Sequence, residues 1–285
     1  MRSGPVISTA LAALTALGPG AARAAEWYTG APGSQNVAPT SYIAAFPPQT
    51  DPVYTSYAPV SKSADYVGRP AAKESFGAAI DFAATADTKG SKFITAIATI
   101  APFSGLDESG LRLRLGGVIG QYSYTNSTLG TIKGTQSDVS FMIGYEWVTA
   151  RASFGVYGGA NYDNNSIDKY DSANKSVGKG TGVKIAVDFN YRPTDYTMFA
   201  GVASFSSMHS AYYSRLKAGY AIAPQVYVGP EAVFMGDDFF QQWRVGLHMT
   251  GAKFSMLQLG ASAGVLVDKV RGTGLYGILD ARLGF

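Results

Sequence analysis

The last twelve residues, Gly274-Leu-Tyr-Gly-Ile-Leu-Asp-Ala-Arg-Leu-Gly-Phe285, decide the fold. Taken in twos from the end, Phe285, Leu283, Ala281, Leu279, Gly277 and Leu275 fall on one side, and Gly284, Arg282, Asp280, Ile278 and Tyr276 on the other. Side chains alternate across a strand, so this is a strand with two unlike faces. One face is apolar and closes on an aromatic; the other carries an acid and a base two residues apart. In a transmembrane β-barrel, lipid-facing and lumen-facing residues alternate in this way and aromatics mark the interface. One strand of a soluble sandwich has the same pattern, so the rest of the chain has to decide.

Working back from the end, the period recurs. Trp243, Val245, Leu247 and Met249 alternate with Gln242, Arg244, Gly246 and His248, and Leu111, Leu113 and Leu115 with Arg112, Arg114 and Gly116. Val139, Phe141, Ile143, Tyr145 and Trp147 alternate with Asp138, Ser140 and Glu146, and Val183, Ile185, Val187 and Phe189 with Lys184, Asp188 and Asn190. Marked this way, twelve strands cover approximately 75–86, 92–102, 110–124, 136–149, 151–163, 179–191, 195–206, 210–222, 225–236, 240–250, 253–266 and 273–285. Their connections alternate. Longer polar ones, such as 125–135 and 164–178, exchange with tight turns at Ala150, Arg192–Thr194, Ala223–Pro224 and Gly251–Ala252, and 103–109 is the exception at the tight end. Sandwich strands average about five or six residues. These run to about eleven, enough to cross the apolar band when tilted. The reading is an all-β, antiparallel up-and-down transmembrane β-barrel of about twelve strands, with short turns and both termini in the periplasm.

Composition agrees. Only 15% of residues are charged, 13% are aromatic, Gly numbers 34 and Cys is absent, against roughly a quarter charged in ordinary soluble domains. The net charge of +3 is too small to suggest nucleic-acid binding. Arg2, the apolar run Val6 to Leu17 and the Ala22-Arg23-Ala24 site read as a secretory signal peptide over 1–24. Residues 25–74 form a Pro- and Tyr-rich flexible periplasmic tail, holding seven of the chain's thirteen prolines, and 75–285 form the barrel. No later stretch approaches the ~20 apolar residues of a membrane helix, so membrane residence requires strands.

With the apolar faces toward lipid, the inward ionisable set is Asp81, Arg112, Arg114, Asp138, Glu146, Arg151, Lys184, Asp188, Arg215, Lys217, Glu231, Arg244, Asp280 and Arg282. Two readings stay open: a network of opposite charges that holds the lumen nearly shut, or a basic lining of Arg112, Arg114, Arg215, Lys217 and Arg244 that favours anionic or polar solutes. Tyr122, Tyr124, Tyr157, Tyr227 and Tyr276 are lumen aromatics able to stack on sugar rings or to pack.

Catalysis has little support. His209 stands beside Ser206, Ser207 and Ser210 near an expected outer loop, without an orienting acid in its sequence neighbourhood, and His248 reads as a polar lining residue. No metal or cofactor is expected. Asp163, Asp168 and Asp171 are the one group of acids in a loop able to attract a divalent cation, and a solvated loop explains them as well.

The run Gly110-Leu-Arg-Leu-Arg-Leu-Gly-Gly117, the segment Gly144-Tyr-Glu-Trp147, and Gly219-Tyr220 followed by Ala223-Pro224 and Gly229-Pro-Glu231 resemble the cellulose biosynthesis protein BcsS family of alphaproteobacteria. The resemblance implies a small outer-membrane barrel assisting cellulose or exopolysaccharide biosynthesis, export or surface assembly. Its partners would be outer-membrane lipid, the barrel-assembly machinery and cellulose synthase components or the polysaccharide itself. It supplies no catalytic residues. A general small-solute porin, and a closed barrel with glycan-binding outer loops, are the alternatives. Phe285 would be the assembly signal, and Glu231 is the inward residue to test first.

Overall fold

The computed structural model describes residues 77–254 and 257–285; the expected signal peptide and tail lie outside the described residues. Twelve antiparallel strands close into one barrel in which each strand pairs with its neighbours in sequence. They are β1 Ala78–Asp87, β2 Lys92–Ile100, β3 Gly110–Asn126, β4 Gly130–Val148, β5 Ala152–Ile167, β6 Gly178–Tyr191, β7 Thr197–Ser206, β8 Tyr212–Ala223, β9 Val226–Gly236, β10 Gln241–Phe254, β11 Leu257–Asp268 and β12 Gly272–Gly284. The barrel closes where β12 meets β1, from Ala79 opposite Gly284 to Asp87 opposite Tyr276. Phe285 extends this seam: its N–H donates to the Ala78 carbonyl at 2.9 Å, and Ala78 N–H donates back to Phe285 O at 3.3 Å.

Polarity is inverted relative to a soluble protein. The outward face carries Leu111, Phe141, Ile143, Val183, Ile185, Val245, Leu247 and Leu279, all exposed, while charged side chains fill the inside. An apolar exterior around a polar interior is the arrangement of a transmembrane barrel. Exposed lysines on strands lie toward the ends, as with Lys92, Lys133, Lys179 and Lys253. One rim bears an aromatic girdle: Trp147 stands 5.0 Å from Tyr145 and 5.9 Å from Phe154, and Tyr196 stacks on Tyr220 at 6.2 Å.

Several boundaries differ from the sequence reading. The β3–β4 hairpin continues outward to Asn126 opposite Gly130, so the expected loop 125–135 shrinks to 127–129. Its outer residues, such as Thr125, Asn126 and Thr131, lie past the apolar band, where a hydrogen-bonded ladder persists without an apolar face to reveal it. The turn expected at Gly251–Ala252 is instead a β-bulge inside β10: the register shifts between Thr250 and Ala252, and Gly251 takes φ +99°. An extra residue there reverses the alternation, and β10 runs on to Phe254.

Candidate functional site

The barrel has two ends. The loop end carries connections 88–91, 127–129, 168–177, 207–211, 237–240 and 269–271; the terminal end carries 101–109, 149–151, 192–196 and 224–225, together with the start of β1 and the end of β12. Between them the lumen divides into a charged floor and a vestibule.

The floor lies toward the terminal end and has two clusters. In the first, Arg112 Nε donates to Glu146 Oε2 at 2.8 Å, Arg114 Nη1 pairs with Asp188 Oδ2 at 2.6 Å, and Arg282 Nη1 pairs with Asp81 Oδ1 at 3.1 Å. The Arg114 guanidinium covers the Tyr157 ring at 3.4 Å from its centroid. That ring lies flat against the wall over Gly144, where an added Cβ would stand 2.3 Å from Tyr157 Cδ1, so glycine makes room for it.

In the second cluster Arg215 is the hub. Its Nε donates to Glu231 Oε2 at 2.8 Å, and Nη1 and Nη2 donate to the two Asp280 oxygens at 2.8 and 2.9 Å, a bidentate fork. Lys217 Nζ adds a bond to Asp280 Oδ2 at 3.1 Å, while Ser262 and Tyr276 hydroxyls donate to Glu231. His248 donates from Nε2 to the Ala218 carbonyl at 3.1 Å and accepts at Nδ1 from Thr250 at 3.0 Å, which sets its tautomer.

Arg112–Glu146, Arg215–Glu231 and Arg282–Asp81 join neighbouring strands, and other pairs cross the lumen. Arg215 on β8 reaches Asp280 on β12, and Arg114 on β3 reaches Asp188 on β6, chords across three or four strands. All of these charges are no more than 5% exposed, and Arg112, Glu146 and Asp188 are fully buried. Beneath them, connection 101–109 folds into the terminal mouth. Leu106 is fully buried, and Arg112 donates to the Gly105 and Glu108 carbonyls and to Ser104 Oγ.

Above the floor lies a cavity of about 330 Å³. Its lysine and arginines each face an acid. Lys184 Nζ donates to Asp138 Oδ1 at 2.7 Å, Arg244 lies 3.6 Å from Asp87, and Arg271 lies 2.7 Å from Asp268. Asn161 donates to Asp138 and accepts from Ser206 Oγ, so that serine is turned away from His209. Tyr122 and Tyr124 stack with ring centroids 6.4 Å apart and planes within 15°. Loop 168–177 is anchored over them: Asp171 accepts from Tyr124 OH at 2.9 Å, Asn126 Nδ2 at 3.3 Å and the Ala173 amide at 3.0 Å. The Ala173 amide, with those two side-chain donors, holds the Asp171 carboxyl below the usual carboxylate range. Asp237, in 237–240, shifts the other way because burial outweighs the Phe240 and Phe239 amides that it caps.

Of the residues singled out from sequence, Asp81, Arg112, Arg114, Asp138, Glu146, Lys184, Asp188, Arg215, Lys217, Glu231, Arg244, Asp280 and Arg282 all face the interior. Arg151 does not: it is 58% exposed in the 149–151 turn and faces Asp195. Tyr157, Tyr227 and Tyr276 are buried in packing, Tyr124 is comparably buried at the vestibule wall, and Tyr122 lines the vestibule half-buried. Asp163, Asp168 and Asp171 diverge: Asp163 faces inward on β5, Asp168 caps the Lys133 amide, and Asp171 anchors its loop. No group of three potential metal ligands forms among the described residues. Sequence reasoning missed Asp87, which ends β1 as an inward acid, and the meeting of Asp163 with His209 at 3.9 Å. The alternation of Asn161, Asp163 and Asn165 carried the inward half of that second signal.

Residues 81–285 match the family described as Cellulose biosynthesis protein BcsS, and the chain belongs to that family. No curated protein matches it. Among solved structures, a KdgM porin is similar at 10% identity over 73% of this chain and 99% of its own, with a TM-score of 0.40. The transport unit of the autotransporter AIDA-I from Escherichia coli is similar at 10% identity, 78% and 94% coverage and a TM-score of 0.44. The β domain of the Bordetella autotransporter BrkA is similar at 14% identity, 74% and 100% coverage and a TM-score of 0.43.

Proposed function

We propose that this BcsS-family barrel stands in the outer membrane with its loop end outward and serves cellulose biosynthesis as a closed accessory component, neither a conduit for the polymer nor a porin. The observation that carries the reading is the floor. A water-filled channel leaves its lining charges wet, whereas here the floor's acids and bases are buried, paired and tied by chords across the lumen. The apolar exterior and the aromatic rim support residence in a bilayer, and the family supports the link to cellulose. The reading assigns no catalysis, consistent with Ser206 bonding Asn161 rather than His209.

Two measurements test it. The refolded protein in a planar bilayer stays silent under this reading; discrete, reproducible openings overturn the closed lumen. In a cellulose-producing strain, deletion lowers extracellular cellulose while uptake of small solutes is unchanged. Normal cellulose with impaired uptake would favour the porin.

A further inference from the structure

The floor and the vestibule wall pair most of the charges in the lumen, yet among the buried polar atoms left without a hydrogen bond, two stand opposite each other at the cavity. Asp163 is 5% exposed and uses only one oxygen, Oδ2, which accepts from Gln136 Nε2 at 3.0 Å. Its Oδ1 has no hydrogen-bond partner, and neither has the buried Nε2 of His209, 3.9 Å away. Both residues line the cavity. Buried polar atoms are nearly always satisfied, so a neighbouring acceptor and donor left open together call for an occupant.

The backbone beneath His209 points the same way. His209 has φ 57° and Ser210 φ 50°, left-handed values for two successive residues that are not glycine. The turn is fastened by Asp238 N–H donating to the His209 carbonyl at 3.0 Å and by Ala211 N–H donating to Met208 O at 3.3 Å. Strain of this kind persists where surrounding structure enforces it, and it gathers at ligand clamps.

We propose that the vestibule is a binding site for a neutral sugar residue of an oligosaccharide chain. A carboxylate oxygen that accepts and an imidazole N–H that donates, side by side, complement a hydroxyl group, which does both. Of the two stacked rings, Tyr124 is buried and packs on Phe239 at 5.0 Å, so it backs the half-buried Tyr122, whose hydroxyl is held by Asn165 and whose ring at the cavity wall offers apolar surface to a pyranose. The matched pairs Lys184–Asp138, Arg244–Asp87 and Arg271–Asp268 leave no surplus of positive charge, which disfavours an acidic sugar. A volume of about 330 Å³ lies at the small end of ligand pockets, roughly 300–1,000 Å³, suited to a chain end rather than to a long segment. The proposal deepens the accessory reading by naming what its outer face holds, but binding itself requires neither a silent lumen nor a cellulose phenotype.

The test is titration of the full-length refolded protein in detergent with cellotetraose, maltotetraose and trigalacturonate, followed calorimetrically. Saturable binding of a neutral tetrasaccharide is expected, weakened at least tenfold in Asp163→Ala and in His209→Ala and unchanged in the exposed-loop variant Lys175→Ala. Folding of each variant is checked by heat-modifiable gel migration. Absence of saturable binding by the unaltered protein overturns the site, as does tighter binding of trigalacturonate or full affinity in a folded Asp163→Ala. Bilayer recordings are read separately, so an open lumen with intact sugar binding would refute the closed-barrel reading and leave this one standing.

Discussion

Replacing Asp280 with alanine removes three charge-assisted hydrogen bonds at once: those from Arg215 Nη1 and Nη2 at 2.8 and 2.9 Å, and that from Lys217 Nζ at 3.1 Å. The two cations stay buried. Arg215 keeps Glu231 at 2.8 Å, while Lys217 keeps only Thr250 at 3.4 Å and Glu231 at 3.9 Å. Breaking one partner out of a buried ion pair costs about 3–5 kcal/mol, whereas exchanging both partners for apolar groups is often close to neutral. Asp280→Ala should therefore lose about 3–5 kcal/mol of folding stability. The balanced double variant Arg215→Met/Asp280→Leu should recover most of that loss, because Lys217 and Glu231 remain as a matched pair. Urea unfolding in lipid vesicles, followed by tryptophan fluorescence, reads both, since Trp147 and Trp243 lie on the outward face at 49% and 46% exposure. A loss below about 1 kcal/mol for Asp280→Ala, far under the range for a broken buried pair, or a double variant worse than the single one, would refute the claim that these charges form one interdependent floor.

Three further outcomes follow from other parts of the structure. Leu247, 64% exposed on the apolar face, should cost about 2–4 kcal/mol when changed to Arg if it lies near the bilayer midplane, measured by the same unfolding assay. Gly144→Ala would place a Cβ 2.3 Å from both Tyr157 Cδ1 and the Val156 carbonyl oxygen. Overpacking of this kind costs about 1–3 kcal/mol, and the double variant Gly144→Ala/Tyr157→Ala should relieve the ring clash while keeping that with the Val156 carbonyl, so the two losses should add only in part in that assay. Asp171 has a depressed carboxyl, so its contribution to loop anchoring is complete above the unfolded value and fades as the pH falls through the folded one, below about pH 4. Hydrogen exchange in 168–177 should accelerate on acidification in the unaltered protein and already be fast at neutral pH in Asp171→Asn.

The wall of the barrel is a local matter, which is why it could be read along the chain. A strand in a bilayer alternates because lipid and lumen alternate, so Trp243 to Met249 and Leu275 to Phe285 declare their faces without reference to any neighbour. The same logic explains where the reading stopped. Beyond the apolar band, Thr125, Asn126 and Thr131 remain in the ladder but present no apolar outer face, and at Gly251 a bulge reversed the alternation.

What fills the barrel belongs to the tertiary structure alone. That Arg215 meets Asp280, 65 residues away, that Arg114 meets Asp188 across three strands, and that Asp163 faces His209 all depend on the stagger of the strands and the bore they enclose. Neither is written in a period of two. From sequence, the near balance of sign leaned toward a paired network, but a basic conduit stayed open to the same residues. Only their positions across the closed lumen, and the folding of 101–109 into its mouth under Arg112, distinguish a row of charges facing inward from a floor. The alternation determined which side chains leave the lipid; the closure of β12 on β1 decided which of them meet.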